Sequence, residues 1–259
     1  MLKISKKVLD RFTAAVKKYQ TVANMHKTQD VPEATTVTLV KDIMADVFGF
    51  DKYAELTSEL LIRGTYCDLA VKIDGKVRYL IEVKSAGSTL NDSHIKQAVD
   101  YGAKSGIYWV VLTNSVEWRL YKIIPSQHYT YEEITTLQFL NVSSKNEDDI
   151  QKLFLFCREG ISSDAMEQFH QHTQMLNKFV IAQLTTSEPV LQVLRRELKR
   201  IFPELKVDVE HISDILINDV LKREVIEGEK VKETQAMIKK AAAKIARQSA
   251  KKVGEATAT

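Results

Sequence analysis

The stretch Asp68-Leu69-Ala70-Val71-Lys72-Ile73-Asp74-Gly75-Lys76-Val77-Arg78-Tyr79-Leu80-Ile81-Glu82-Val83-Lys84 decides the fold. Two runs rich in Leu, Ile, Val and Tyr flank Asp74-Gly75, a pair that favours a hairpin turn. The second run carries Glu82 and Lys84 within an apolar strand. Side chains alternate along a strand, so Glu82 and Lys84 share one face while Ile81 and Val83 share the other. Charges in that setting are costly to bury unless paired or bound to metal. Register decides whether Asp68 joins them. A two-residue turn sets Asp68 opposite Ile81, on the wrong face. One added residue, in an Asp74-Gly75-Lys76 loop or a bulged turn, sets it opposite Glu82 with side chains about 5 Å apart. A three-residue or bulged turn is therefore expected. Two carboxylates that close repel unless a divalent cation neutralises them, and Mg²⁺ takes oxygen ligands of this sort.

Outward from this hairpin, residues 54–62 read as a preceding strand and 91–104 as a following helix that Asn91 can cap. A second hairpin is expected over 107–113 and 116–124 across Asn114-Ser115, with a last strand at 134–141. Upstream, apolar residues spaced by three and four predict an amphipathic helix over 3–26, with Lys6, Lys7, Lys17 and Lys18 off its stripe. Pro32 and Gly49 bracket a second helix at 33–48, with Glu33 in its first turn. Downstream of 143 the pattern is helical: 150–157, 163–184, 188–202 and 209–225. The Ala- and Lys-rich 229–253 makes a helix that needs a partner or frays. The expected organisation is an N-terminal helix (1–30), an α/β domain (31–142) and a helical C-terminal region with a basic tail (143–259).

The 259 residues carry a formal net charge of +3. Residues 1–30 hold seven bases and two acids, and 230–259 hold eight and two, so an acidic middle lies between basic ends. Such ends suit a polyanion held against an acidic, metal-binding body, as well as solvated helix faces. No apolar run is long enough to span a membrane. The first residues do not read as a secretory signal, and Cys67 and Cys157 form neither a disulfide framework nor a zinc site, so the cytoplasm is expected. A Gly-x4-Gly-Lys phosphate loop is absent.

His94, Gln97 and Tyr101 share one face of the helix after the hairpin. Asp68…Glu82-Val83-Lys84 followed by Gln97-x-x-x-Tyr101 resembles the PD-(D/E)xK nuclease superfamily, and more narrowly the N-terminal nuclease domain of type I restriction enzyme R subunits. The neighbouring Trp109-Val110-Val111-Leu112-Thr113-Asn114 and Glu117-Trp118-Arg119-Leu120-Tyr121 fit it, over roughly residues 31–125. The resemblance implies a restriction-endonuclease-like core, a central mixed sheet flanked by helices, with an α-helical C-terminal extension. It implies Asp68 and Glu82 as Mg²⁺ ligands (Mn²⁺ able to substitute), with the Val83 carbonyl and the helical carboxylate Glu33 completing the site. Lys84 would position water or stabilise the transition state, and Gln97 and Tyr101 would border the site and orient the nucleic-acid backbone. Cys67 replaces the family's proline, and the helicase motor of type I enzymes is lacking.

The function so implied is Mg²⁺-dependent phosphodiester hydrolysis, of DNA with RNA still open, in a restriction or phage-defence role. The alternative is a nucleic-acid-binding or docking module with weak or conditional catalysis. A protein regulator or motor partner and self-association through the helical half accompany either reading. Elsewhere, His94 reads as a helix-surface residue. His170 and His172 diverge on a helix and cannot chelate together. Trp109 and Trp118 read as core aromatics, and the basic residues of 194–200 as a solvated face.

Overall fold

The computed structural model describes residues 2–62, 65–125 and 129–256; the side chains of 59–62, 65, 66, 97 and 246–256 lie outside that description. Two compact units divide the chain, residues 1–170 and 171–259. In the first, α1 (Lys6–Gln29) and α2 (Glu33–Asp46) precede β1 (Leu56–Ile62), β2 (Thr65–Ile73) and β3 (Lys76–Val83). Then come α3 (Asp92–Ser105), β4 (Trp109–Thr113), β5 (Glu117–Ile124) and β6 (Thr130–Gln138). Beyond them lie α4 (Glu147–Leu155) and α5 (Arg158–Ser162). The described strands form one six-stranded sheet in chain order. The β3–β4 pair is parallel and the other neighbours are antiparallel, so the sheet is mixed, with α3 as the crossover that a parallel pair requires. The last strand begins earlier than its apolar pattern suggests, at Thr130, and the expected 139–141 end is a 3₁₀ turn.

Alternation along the strands builds two apolar layers. Tyr79, Ile81 and Val83, with Val111, Trp118 and Leu120, belong to the core that includes Phe12 of α1 and Ile43 of α2. Phe48 meets Trp118 edge-on at 5.1 Å between ring centroids and lies 5.7 Å from Phe156. The opposite face, with Leu80, Val110 and Leu112, packs with Ile95, Ala98 and Val99 of α3. The lysines of α1 at 6, 7, 17 and 18 are exposed, as its stripe predicts. Leu153 through Cys157 are buried in the first layer, so this core extends past residue 142, where the sequence suggests a boundary. Arg11 of α1 grips Glu159 of α5 with two hydrogen bonds of 2.8 and 2.7 Å, and donates its Nε to the Val47 carbonyl. Cys67 and Cys157 are free and buried.

Two expected helices are corrected. The pattern over 163–184 does not form one helix: α6 (Ala165–Met175) ends, and α7 (Lys178–Thr185) begins where Asn177 accepts the amides of Phe179 and Val180. The 209–225 pattern gives α9 (Val209–Ile215), then a π-helical turn at Leu216–Val220 and a 3₁₀ turn at Arg223–Val225. In the second unit, α8 (Glu188–Ile201) forms as expected and α10 (Glu229–Ala256) finds its partner in α7, with Val231 and Thr234 buried. No described helix is long and apolar enough to cross a membrane.

Candidate metal and phosphodiester site

The β2–β3 hairpin turns on Asp74 and Gly75, both at positive φ (51° and 74°), the conformation that a two-residue hairpin turn demands. Ile73 pairs with Lys76, so the three-residue loop Asp74-Gly75-Lys76 does not form. The added residue sits further along β3 instead. Lys72 pairs with Val77 and Val71 with Tyr79, which leaves Arg78 as a bulge. Beyond it Leu69 pairs with Ile81, and continuing that register sets Asp68 across from Glu82. The turn itself is thus a regular two-residue one, against the expected three-residue or bulged turn, and the parity is restored by a bulge within the strand. Asp68 Oδ2 accepts the Val83 amide at 2.7 Å. In extended backbone the carbonyl faces the same neighbour as the amide, which turns the Val83 oxygen to the Asp68 side.

Glu82, a titratable carboxyl at the carboxyl end of β3, is 6% exposed. Lys84 Nζ donates to Glu82 Oε1 at 2.7 Å and lies 3.7 Å from Glu33 Oε2. The structure therefore gathers Glu33, Glu82 and Lys84, with Asp68 close enough to bear on both Glu82 and Lys84 electrostatically. Burial, followed by the negative charges of Asp68 and Glu33, holds the Glu82 carboxyl above its ordinary range against the pull of Lys84. For Lys84 the balance is reversed. Burial alone would lower it, but the hydrogen bond to Glu82 and the surrounding carboxylates hold the ammonium above its usual value. The cluster holds three acids against one base.

The helix residues divide. Tyr101 is buried on the α3 layer, its hydroxyl pushed up to about 12 by burial and then by Cys67. The Gln97 side chain lies outside the described residues; its backbone falls within α3. His94 serves the helix itself, forming a capping box with Asn91. His170 takes part in a side-chain chain on the sheet, with Nδ1 3.3 Å from Lys122 Nζ and Nε2 3.3 Å from Glu132 Oε2, while His172 is exposed. Trp118 is core as expected; Trp109 is only partly buried.

Sequence reading missed the residues that pin the segment after Lys84. The Lys84 amide donates to Thr113 O at 2.8 Å. Buried Thr36 of α2 accepts the Ala86 amide at 3.1 Å, three residues along from Glu33. Asn114 donates to Ser88 O at 2.8 Å and Arg119 to Leu90 O at 3.2 Å. Gly87 passes so close to Asp30 that a Cβ would lie 2.2 Å from its Oδ1. Local patterning carries no signal for these pairings. They tie Lys84 to α2 and to the β4–β5 turn, which fixes where the ammonium stands.

Among the described residues, no three His, Cys, Asp or Glu side chains already converge as a metal-ligand group. Mg²⁺ asks for less, since it is commonly held by one or two carboxylates with waters and substrate phosphates filling the remaining positions. Asp68 and Glu82, with the Val83 carbonyl beside them, fit that donor set in type. The excess of carboxylates over cations also favours a divalent ion. No protein-family model, no curated protein and no solved structure matches this chain.

Proposed function

We propose that the chain is a Mg²⁺-dependent nuclease that hydrolyses phosphodiester bonds of DNA. The observation that carries this reading is the buried Glu82 paired with Lys84 at the carboxyl end of β3, with Asp68 across the hairpin and Glu33 on α2. Ligand sites in open α/β sheets lie at such strand ends. Asp68 and Glu82 would hold the metal, which supplies Lewis acidity and a bound water of lowered pKa. Lys84 stands where its ammonium can orient the attacking water and neutralise charge gathering on the phosphate oxygens. Glu33 keeps Lys84 aimed between α2 and β3 and is the third carboxylate available to a metal. Tyr101 closes the α3 side of the strand. Water adds to phosphorus, one phosphorus–oxygen ester bond breaks, and the products are a phosphate monoester and a free hydroxyl. The basic segments 1–30 and 230–259 supply charge suited to the phosphate backbone.

The test is incubation of purified protein with supercoiled, linear and single-stranded DNA, and with RNA, in Mg²⁺, Mn²⁺ or EDTA. Cutting should need the metal, and Glu82→Ala and Lys84→Ala should each reduce it by about 10²-fold or more. Cutting that survives both substitutions overturns the reading. Salt-sensitive binding without cutting would favour a nucleic-acid docking module.

A further inference from the structure

The bulge that sets Asp68 opposite Glu82 also has an effect at the other end of β3. Arg78, the residue without an opposite partner on β2, is about 13 Å from Glu82 along the strand. It lines two adjoining cavities of about 130 and 290 Å³, and Trp109 and Glu167 line both with it. The smaller adds Asp164, and the larger adds Tyr108 and Lys122. All of these residues belong to the first unit.

The charges there are unequally satisfied. Lys122 is already engaged: its Nζ lies 2.6 Å from Glu167 Oε2 and 5.3 Å from the centroid of the Trp109 ring. Arg78 is exposed, and its guanidinium makes no hydrogen bond or ion pair among the described residues. A guanidinium without an internal partner offers five donors in a planar fork that matches phosphate or carboxylate oxygens. Beside it are a partly buried indole and Tyr108, which is 42% exposed, both suited to the flat face of an aromatic ring. Asp164 and Glu167 add acceptors for amino or hydroxyl hydrogens. The larger cavity, about 290 Å³, comes close to the roughly 300 Å³ at which small-molecule pockets begin, and the smaller one shares its lining.

We propose that this cleft binds a nucleotide, with its phosphate on Arg78, its ring against Tyr108 and Trp109, and its polar hydrogens on Asp164 and Glu167. A free mononucleotide and the phosphorylated end of a strand present the same chemistry. The site is separate from the carboxylate cluster, and it is read by binding rather than by cleavage.

Intrinsic fluorescence gives the assay, because the chain has two tryptophans and Trp118 is fully buried. The full chain is titrated with AMP, ATP, adenosine, inorganic phosphate, and a short oligonucleotide with and without a 5′-phosphate, with calorimetry in parallel. AMP or ATP, or the phosphorylated oligonucleotide, should give a saturable change, and the form lacking phosphate should bind at least about tenfold more weakly. Arg78→Gln should weaken binding by at least about tenfold. Trp109→Phe should lose the fluorescence change and keep the calorimetric signal. Should Arg78→Gln fail to fold, Arg78→Lys, which keeps the bulge and the charge but not the fork, should bind several-fold more weakly. The proposal is overturned if no probe binds, if Arg78→Gln and Arg78→Lys bind like the wild type, or if the fluorescence change persists in Trp109→Phe.

Discussion

Glu82 is a carboxyl that burial and two neighbouring acids hold toward its protonated form. A cation must compete with that proton, so binding should strengthen as pH rises through the raised value. The sign for stability follows from the same shift. A carboxyl whose folded pKa is raised favours the fold at low pH, and that contribution is lost as pH rises through the folded value. Mg²⁺ or Mn²⁺ should therefore raise the melting temperature more at alkaline than at mildly acidic pH, since a ligand of the native state stabilises by mass action. Asp68→Asn should abolish the shift while leaving the melting temperature without metal within a few degrees. A shift of equal size in Asp68→Asn would place the ion elsewhere. The acid-acid-lysine set is legible in the sequence because its charges interrupt an apolar run, which polar surface strands do not do. Thr36, Asn114 and Arg119 are not legible. Their hydrogen bonds reach 50, 26 and 29 residues along the chain, and neither propensity nor periodicity encodes such distances.

At the scale of elements, the join between α1 and α5 rests on Arg11 and Glu159. Burial would raise Glu159, but the hydrogen bonds and charge of Arg11 outweigh it and hold the carboxyl below its ordinary range. A depressed carboxyl contributes stability above its unfolded pKa and loses it as pH falls through the folded value. Glu159 is 35% exposed, so solvent screens the pair. Glu159→Gln should cost about 1 kcal/mol at neutral pH, and the difference from wild type should vanish in acid. Thermal melts of both proteins across the acid range check this. The strands were readable because apolar runs and Asp-Gly punctuation coincide, whereas the parallel joining of β3 to β4 was not. The position of the bulge was not either, since any residue of β3 before Tyr79 could have absorbed the extra length. The break before α7 was hidden as well. Apolar spacing continues through Phe179 and Val180, and it is the capping oxygen of Asn177 that ends the run.

For the whole molecule, the division at residue 170 makes a direct prediction. A fragment of residues 1–170 should unfold cooperatively. A fragment of 1–142 should not, because it removes Leu153, Phe154, Leu155, Phe156 and Cys157 from the core and exposes Phe48 and Trp118. Losing several buried side chains at about 2–5 kcal/mol each exceeds the stability of a typical domain. Circular dichroism and thermal melts of the two fragments decide it, and a stable 1–142 would show that α4 and α5 are dispensable.

The two thiols of this unit have a practical consequence. Cys67 sits on β2 and Cys157 at the junction of α4 and α5, both sealed from water, and burial pushes the Cys67 thiol up to about 12 and that of Cys157 higher still. Thiolate is the reactive form, so in the native state both are silent toward alkylating reagents. Labelling can proceed only through opening, which makes the pair two clocks set in different parts of one core. If the unit opens as a whole, both sulfurs should be alkylated at one rate. If the helices after the sheet lift first, Cys157 should be labelled ahead of Cys67, and peptide mass spectrometry of a labelling time course would order the two events.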